Sequence, residues 1–380
     1  MKEFVVKLPI GLVTNRYTLP RKVQEWQIEL AVNTSCGMTN DDFFSRIMLC
    51  LGEWQFNEKN PDELLLQMEK AIWEGLGRDA EFVKAIFLSE YVKKKMNKKV
   101  RVSEIFASVQ GEGCFTGELA IFIRLFGCNL SCKGFKQADP LNPSTWKTLQ
   151  TINFAAYDKL EDLPVFEYGC DSAYSWDPNF KRLAKQYTIE GIVDETIRIG
   201  KETLGLGDGE NFAFHPKTKN PINLIFTGGE PMLYQEEMVG IVEEFKKRGI
   251  DFLHVTVETN GTKPPKAEFP LNFNFSISPK LQSVSGEVGA VKPELVDNIL
   301  KNKVGWLKWV VTDDPRCWAE LDGYMEQILF RGNVWIMPCG ATLEQQQGEA
   351  ITKIANEALK RGYKISARVQ NYLWGNKVGK

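Results

Sequence analysis

The sequence predicts an α/β fold whose main part is a largely parallel sheet with helices outside it, preceded by a mostly helical unit. Three observations support this prediction. The pattern changes from helical to α/β near Val100, strand and helix candidates alternate beyond residue 190, and polar motifs directly follow predicted strands. Because ligands bind at the carboxyl ends of the strands in such sheets, we expect the functional site at these motifs.

Composition narrows the class of protein. A chain of 380 residues with a net charge of −2 is typical of a soluble globular protein and has no basic surface that would indicate nucleic-acid binding. No apolar run approaches the roughly 20 residues that cross a bilayer, and the first residues lack the apolar core of a signal peptide. We therefore expect a cytoplasmic protein with no membrane partner. In that compartment its eight cysteines indicate metal or redox chemistry before disulfides.

Residues 1–98 are predicted to form a separate helical appendage of unknown role. Asn40 can cap one helix, and Asn60-Pro61 followed by two acidic residues is a strong start for a second. A third helix is expected over 81–96. No motif in this segment indicates chemistry.

Residues 99–380 form the predicted core. Strand candidates are 102–109, 119–126, 222–226, 252–257, 273–277, 306–311, 334–336 and 363–367. Helix candidates are 190–204, 235–248, 292–301 and 343–361. Residues 133–169 show weak periodicity and three prolines, and so long a loop in a compact domain is usually functional or an insertion.

The central motif is the pair Cys128 and Cys132, at the end of the apolar strand candidate 119–126. Two thiols separated by three residues can bind one inorganic cluster, and a buried strand would present them at a sheet edge. Taken alone, the pair is more typical of two ordinary buried thiols. A third cysteine downstream and a Gly-Gly-Glu-Pro turn favour the cluster instead.

Three further motifs follow strand candidates. They are Thr227-Gly228-Gly229-Glu230-Pro231, Glu258-Thr259-Asn260-Gly261 and Ser278-Pro279-Lys280. Glycines in the first motif would let the backbone approach a ligand. Each would be an ordinary turn by itself, but their shared position at strand ends favours a binding site.

Together these segments resemble the 7-carboxy-7-deazaguanine synthases, which are radical S-adenosylmethionine enzymes of queuosine and deazapurine synthesis. The resemblance rests on VQGEGCFTGELAIFIRLFGCNLSC (109–132), FTGGEP (226–231), VETNGT (257–262) and SISPKL (276–281), with IMP (336–338) and RVQNYLWGN (368–376) near the end. It covers about residues 101–380 with gaps. It implies an open parallel β/α barrel of the radical S-adenosylmethionine type.

The chain departs from the family pattern at one position. Family members carry a third cysteine three residues after the second, where this chain has Phe135, and phenylalanine cannot bind iron. The replacement is expected to be Cys170, because GCDSAYSW (169–176) resembles the family context after the third cysteine. Residues 133–169 then become an insertion inside the cluster loop, as in a phage-like variant. Cys339 is a second candidate, while Cys114 and Cys317 are expected to be structural.

The resemblance implies the following roles. Cys128, Cys132 and Cys170 would bind a [4Fe–4S] cluster whose free iron chelates S-adenosylmethionine, and Ser172 would bind Mg²⁺. Cofactor contacts would come from Gly169, Asp171, Gly228, Gly229, Glu230, Ser278, Pro279 and Lys280. The family substrate is 6-carboxy-5,6,7,8-tetrahydropterin, which undergoes ring contraction with loss of the amino nitrogen. Substrate contacts would come from Val109, Gln110, Gly111, Thr227 and Arg124, whose guanidinium suits a carboxylate. Catalytic roles are expected for Arg124 and Glu112, although Glu112 could equally orient the substrate loop or be a simple turn carboxylate.

Three interpretations remain open at this point. The chain is a synthase, another radical enzyme such as an activase for a glycyl-radical partner, or a non-catalytic scaffold that has lost the cluster. An activase should lack the Gln-Gly-Glu-Gly and Cys-Asp-Ser segments, whereas the scaffold is favoured only by Phe135 and the unexplained residues 1–98. The family further implies an electron donor such as flavodoxin and a homodimer.

Overall fold

The computed structural model describes residues 2–6, 15–19, 99–147, 154–266, 268–301, 303–375 and 377–379. The chain divides into two compact units, Met1–Asn97 and Lys98–Lys380. In the first unit, strands β1 (Lys2–Val6) and β2 (Asn15–Leu19) pair antiparallel. These strands are not among the predicted elements, and the three helices predicted for this unit lie outside the described residues.

The second unit contains nine strands in its described residues. They are β3 (Val100–Val109), β4 (Leu119–Leu125), β5 (Lys185–Tyr187), β6 (Asn223–Gly228), β7 (His254–Thr259), β8 (Phe273–Ile277), β9 (Val304–Val311), β10 (Val334–Pro338) and β11 (Lys364–Ile365). They form one sheet in the order β11-β10-β9-β8-β7-β6-β4-β3-β5. Neighbours from β4 to β11 are parallel, while β3 is antiparallel to both β4 and β5. The predicted open, mainly parallel sheet is confirmed.

Helices follow most of the parallel strands. They are α1 (Ile189–Leu204), α2 (Gln235–Lys247), α3 (Gln282–Ser285), α4 (Pro293–Leu300), α5 (Pro315–Gln327), α6 (Glu349–Lys360) and α7 (Val369–Trp374). Local signals explain their ends. Thr188 caps α1 by accepting the N–H of Gly191 at 3.1 Å, and Gly205 ends it in the left-handed region.

Several helices differ from the sequence predictions, and the short helices α3 and α7 were not predicted. The single helix predicted over 343–361 is divided, because Gly348 has a φ of 95° between a short 3₁₀ turn and α6. Helix α5 was not predicted from the sequence. Its start nevertheless carries a recognisable signal, since Asp314 caps the N–H of Arg316 at 2.8 Å and Pro315 occupies the first helical position.

The main hydrophobic core surrounds the central strands. All five residues of β8 are buried, as are five of the six in β6, which is typical of parallel strands covered on both faces. Ile121, Phe226 and Trp309 are among the fully buried side chains. This packing holds the carboxyl ends of the strands in fixed positions. Among the described helices, none combines the length and apolarity that a bilayer crossing requires.

Candidate active site

A cavity of about 270 Å³ lies within the second unit and is bounded by the loops that follow several strands. Most of the predicted site residues line it: Val109, Gln110, Gly111, Glu112, Arg124, Cys128, Cys132, Gly169, Cys170, Asp171, Ser172, Thr227, Gly228, Gly229, Ser278 and Lys280. Residues more than 170 positions apart thus meet around one space. Two predicted residues, Glu230 and Pro279, are not part of the lining.

The loop after β4 carries the first two thiols. Gly127 has a φ of 125° and allows the turn out of the strand, while Cys132 itself has a φ of 49°. The N–H of Leu130 points to Cys128 Sγ at 3.4 Å. On the far side of the loop, Glu287 accepts hydrogen bonds from Ser131 and Cys132. The loop therefore has a defined shape in which both thiols reach the cavity.

Cys170 arrives at the same cavity after the long insertion. The N–H of Gly169 donates to the carbonyl of Phe135 at 2.9 Å, so the end of the insertion returns to its beginning. Gly169 has a φ of 75° and lies against the backbone of Lys133. Phe135 is half-buried, packs against the main core and lines the cavity. Cys170 thus emerges beside the position at which the family pattern has its third cysteine.

Burial keeps two of these thiols protonated in the structure. Burial raises the pKa of Cys128 to about 12, and it raises the pKa of Cys132 well above its ordinary value. The neighbouring thiol of Cys170 raises both pKa values further, while the positive charge of Lys280 lowers them. All three cysteines are free of disulfides.

The donor set fits an iron–sulfur cluster. Soft thiols are the ligands that such clusters use, each bound to a separate iron, so the ligands surround a body larger than one ion. In the described part of the chain, no group of three or more His, Cys, Asp or Glu side chains is arranged to hold a metal ion. Ser172 lines the cavity with its Oγ 3.5 Å from Cys170 Sγ, and a magnesium role for it stays a prediction.

The Gly-Gly-Glu-Pro turn packs directly on the cysteine loop. A Cβ on Gly228 would lie 2.1 Å from the carbonyl oxygen of Leu125, and one on Gly229 would lie 2.2 Å from that of Gly127. Only glycine allows so close an approach. The two glycines therefore place exposed backbone next to Cys128 at the cavity wall.

Glu230 supports this wall from behind. Its side chain is fully buried and accepts hydrogen bonds from Thr259 Oγ1 at 2.7 Å, Asn260 N at 2.7 Å and Met232 N at 2.9 Å. Burial raises the pKa of Glu230, although these hydrogen bonds oppose the shift. Glu230 thereby ties the motif after β6 to the motif after β7.

Arg124 sits on the cavity wall with a partner of its own. Its Nε donates to Glu104 Oε1 at 2.6 Å, and the hydroxyl of Tyr174 donates to the same oxygen at 2.9 Å. The guanidinium also lies over the rings of Phe106 and Tyr174. Burial alone would lower the pKa of Arg124, but Tyr174 and Glu104 raise it above its ordinary value. Within the described residues, the two terminal nitrogens of Arg124 make no hydrogen bond.

Glu112 is the centre of a buried ionic network. It contacts Lys308 Nζ, accepts from Arg368 Nε at 3.0 Å and accepts from Gln370 Nε2 at 2.9 Å. Burial alone would raise its pKa, but Lys308 and Arg368 hold the pKa well below the ordinary range of a carboxyl. The carboxylate is therefore ionised, and each of its two oxygens has a hydrogen-bond or ion-pair partner. This environment favours the orienting role for Glu112 over proton transfer.

Arg368 connects this network to the third thiol. Its Nη2 lies 2.8 Å from Oδ2 of Asp171, the residue that follows Cys170 in the chain. Its Nη1 donates to the carbonyl of Gly340 at 2.6 Å. Burial opposes ionisation of Asp171, but Arg368 and Lys136 lower its pKa. Asp171 thus anchors the end of the insertion.

Several lining residues were missed by the sequence predictions. Glu258 accepts from Gln110 Nε2 at 3.1 Å and from Thr227 Oγ1 at 2.7 Å, so it links two predicted substrate positions. Lys308 and Gln370 also line the cavity. Glu258 belongs to a motif that was recognised, and Glu104 pairs opposite Arg124 in the β3–β4 register, so both could have been found. Lys308 carries no local signal.

The insertion covers one side of the site. Leu160, Leu163 and Phe166 are buried in a second hydrophobic cluster with Phe126 and Tyr174. Lys136 Nζ donates to the carbonyl of Phe166 at 2.7 Å. Leu163, Pro164 and Val165 line the cavity itself. Two other apolar residues of the insertion also pack on the second unit: Trp146 lies against Gly286, and Tyr157 packs against the second hydrophobic cluster. The side chain of Phe154 lies outside the described residues.

Several proteins of the same name are similar in sequence to the chain. The chain is 27% identical to a 7-carboxy-7-deazaguanine synthase of Pyrobaculum aerophilum over 74% of this chain and 98% of that protein. It is 28% identical to a synthase of the same name from Hyperthermus butylicus, over 64% of this chain and 78% of that protein. It is 26% identical to one from Rhodopirellula baltica, over 73% of this chain and 88% of that protein. No family model matches the chain.

Among solved structures, the chain aligns with QueE from Escherichia coli at 19% identity and a TM-score of 0.44, over 73% of this chain and 97% of that one. These sequence relatives share one name and align with the chain over most of their own length, so the chain is similar to 7-carboxy-7-deazaguanine synthases.

Proposed function

We propose that this chain is a radical S-adenosylmethionine lyase that contracts the ring of 6-carboxy-5,6,7,8-tetrahydropterin to 7-carboxy-7-deazaguanine. The observation that carries the proposal is the convergence of Cys128, Cys132 and Cys170 on the cavity that Arg124 also lines. The names of the relatives support the choice of reaction.

The thiol side of the cavity suits a cofactor. Cys128, Cys132 and Cys170 would hold a [4Fe–4S] cluster, which together with S-adenosylmethionine supplies an electron and a 5′-deoxyadenosyl radical when both are bound. Gly228 and Gly229 offer backbone groups to the cofactor. Ser278 and Lys280 line the same wall, and Lys280 Nζ is fixed by the carbonyl and hydroxyl of Ser278 at 2.7 and 2.9 Å.

Other cofactor contacts expected from the resemblance act in different ways. Gly169 and Asp171 lie beside Cys170 at the cavity wall. Glu230 would act through the turn that it holds, because its carboxylate is consumed by Thr259, Asn260 and Met232. Pro279 would act by fixing the backbone between Ser278 and Lys280.

The remaining walls suit a polar, carboxylated substrate. The terminal nitrogens of Arg124 would bind the substrate carboxylate, while Glu104 and Tyr174 hold the guanidinium plane in place. Backbone at Val109–Gly111 and the hydroxyl of Thr227 would contact the ring system. Glu258 fixes Gln110 and Thr227 relative to each other before substrate arrives, which reduces the ordering that binding requires.

The insertion would exclude water from this space. Leu163, Pro164 and Val165 present apolar atoms to the cavity, and the hydrophobic cluster behind them fixes their position. A closed site also keeps a reactive radical away from hydrogen donors other than the substrate, which would quench it.

Further parts of the proposal come from the family resemblance. They are a Mg²⁺ ion at Ser172, an external electron donor such as flavodoxin, a homodimer, and use of the product in queuosine or other deazapurine modification of nucleic acid. Each stays a prediction.

Anaerobic reconstitution with iron and sulfide tests the proposal. We expect about four irons per chain, release of 5′-deoxyadenosine after reduction, and 7-carboxy-7-deazaguanine once the carboxytetrahydropterin is added. Absence of iron binding would favour the non-catalytic scaffold. Release of 5′-deoxyadenosine without conversion of the pterin would favour a different radical enzyme.

A further inference from the structure

Glu287 lies outside every motif that the sequence singled out, yet its carboxylate accepts three hydrogen bonds from the cysteine loop. It follows α3 and Gly286 in the loop after β8. One oxygen of its carboxylate, Oε1, accepts from Ser131 N at 2.7 Å, from Ser131 Oγ at 2.9 Å and from Cys132 N. Three donors on one oxygen make this the most concentrated hydrogen bonding in the loop.

The conformation of Cys132 shows why the loop needs such an anchor. Cys132 adopts a φ of 49°, a region that non-glycine residues enter at a cost of about 1 kcal/mol or more. Its side chain is buried, and its thiol faces the cavity. A hydrogen bond on its own N–H, next to two on Ser131, offsets the cost of this backbone conformation.

Glu287 is itself held by a firm platform. Its N–H donates to Ser285 Oγ at 3.2 Å, and Ser285 Oγ donates to the carbonyl of Leu281 at 2.7 Å. The start of the insertion docks on the same segment, since the N–H of Gly134 donates to the carbonyl of Ser285 at 2.9 Å. The segment 285–287 thus receives the cysteine loop and the insertion together.

We propose that Glu287 is a positioning residue that fixes the Ser131–Cys132 backbone so that the Cys132 thiol faces the cavity, and that its charge lowers the reduction potential of a cluster bound there. The effect on the reduction potential rests on the proposed function. The positioning of Cys132 applies to the iron-free chain as well.

Two effects of Glu287 on the potential act in the same direction. A negative charge beside a cluster disfavours the added electron. In addition, the carboxylate occupies the N–H groups of Ser131 and Cys132, which could otherwise donate to cluster or ligand sulfurs and raise the potential. Glu287→Gln, which removes only the charge, should therefore move the reduction potential to more positive values. Glu287→Ala, which also removes the hydrogen-bond acceptor, should move it further.

The test uses the full chain with Glu287→Ala, Glu287→Gln and, as a matched control, Glu326→Gln on an exposed face of α5. In iron-free protein under reducing conditions, the rate of iodoacetamide alkylation at Cys132 is followed by peptide mass spectrometry. The exposed Cys114 and the buried Cys317 serve as internal references. We expect Glu287→Ala to alkylate Cys132 about tenfold faster, the effect of losing about 1.4 kcal/mol of hydrogen bonding. Glu287→Gln keeps an oxygen acceptor but removes the charge, which itself raises the pKa of Cys132, so this variant measures the effect of the charge alone and should be alkylated more slowly than Glu287→Ala.

The second readout is the midpoint potential of the reconstituted cluster, measured by a redox titration with electron paramagnetic resonance. Glu287→Gln should titrate at a more positive potential than both the parent and Glu326→Gln. An alkylation rate at Cys132 that is no faster in Glu287→Ala than in Glu287→Gln would overturn the positioning role, and an unchanged potential in Glu287→Gln would overturn the electrostatic role. A parent chain that binds no iron would contradict the proposed function, while the alkylation result would still decide whether Glu287 positions Cys132.

Discussion

Two kinds of buried acid line the same cavity, and they have opposite protonation states. Burial raises the pKa of the Cys128 thiol to about 12, and nothing beside the thiol outweighs burial. Burial acts in the same direction on Glu112, but Lys308 and Arg368 outweigh it and hold the pKa of that carboxyl well below its ordinary range. The ordinary pKa of a thiol already lies above that of a carboxyl, and the neighbouring cations widen this difference.

This contrast separates two functions within one site. A neutral buried thiol is a poor nucleophile but becomes a ligand when iron displaces its proton. A carboxylate already paired with two cations gives up no proton and takes none near neutral pH. The thiols are therefore the chemically available groups, and Glu112 braces the loop that carries the predicted substrate contacts.

Replacing one thiol should have the largest effect. Cys170→Ala would remove one of the three proposed iron ligands, so we expect loss of cluster absorbance and of S-adenosylmethionine cleavage. The control is Cys339→Ala, since Cys339 also lines the cavity and was the alternative candidate. Full iron content in Cys170→Ala together with loss in Cys339→Ala would exchange their roles.

Neutralising Glu112 should destabilise the fold. Glu112→Gln leaves Lys308 and Arg368 buried without their shared counter-charge, and we expect a loss of about 3 kcal/mol in the free energy of unfolding at pH 7. Because the folded pKa of Glu112 lies below its unfolded value of about 4.3, this stability is present above that pH and is lost as the pH falls through the folded pKa. Urea unfolding of the parent and the variant should therefore converge on acidification.

The exposed Glu118, in the same loop, provides the control for this prediction. Glu118→Gln should unfold like the parent at every pH. A Glu112→Gln variant with the stability of the parent at pH 7 would mean that the network does not brace the loop.

Changing Arg124 to lysine should affect turnover more modestly. Lysine keeps a charge but loses the planar contacts with Glu104 and the two rings, so we expect kcat/KM for the pterin to fall about tenfold. Uncoupled S-adenosylmethionine cleavage should change less, because the thiols and their loop are untouched. Equal losses in the two assays would place Arg124 on the cofactor side of the cavity.

The smallest effect is expected from deleting residues 1–97. Both the thiols and the Glu112 network lie in the unit Lys98–Lys380, so the shortened chain should keep its iron content while solubility or partner binding changes. A deletion variant that folds with a normal circular dichroism spectrum but binds no iron would assign chemistry to the first unit.

The sequence predicts those parts of the site whose signals are local. Gly228 and Gly229 follow a strand and are the residues that allow a 2.1–2.2 Å approach of a hypothetical Cβ to backbone oxygens. Cys170 could be selected because its flanking residues resemble a known context. In both cases the information lies within a few residues of the feature.

Other parts could not be predicted because their partners are distant in the chain. Arg368 meets Glu112 across 256 positions, and Lys308 meets it across 196. No pattern in the neighbouring sequence indicates a role for Lys308, which is a single polar residue within a predicted buried strand. The ionised state of Glu112, and with it the choice between orienting and catalytic roles, depends on these contacts.

The hydrogen bond between Gly169 and Phe135 has a consequence for how the chain can vary. It closes residues 136–168 into a loop whose two ends already meet, beside the cavity and ahead of Cys170. The entropic cost of closing a flexible loop rises only logarithmically with its length, by about 0.6 kcal/mol for each doubling. A change in the length of the segment at this junction therefore costs little free energy of loop closure, while Cys170 keeps its place beside Phe135.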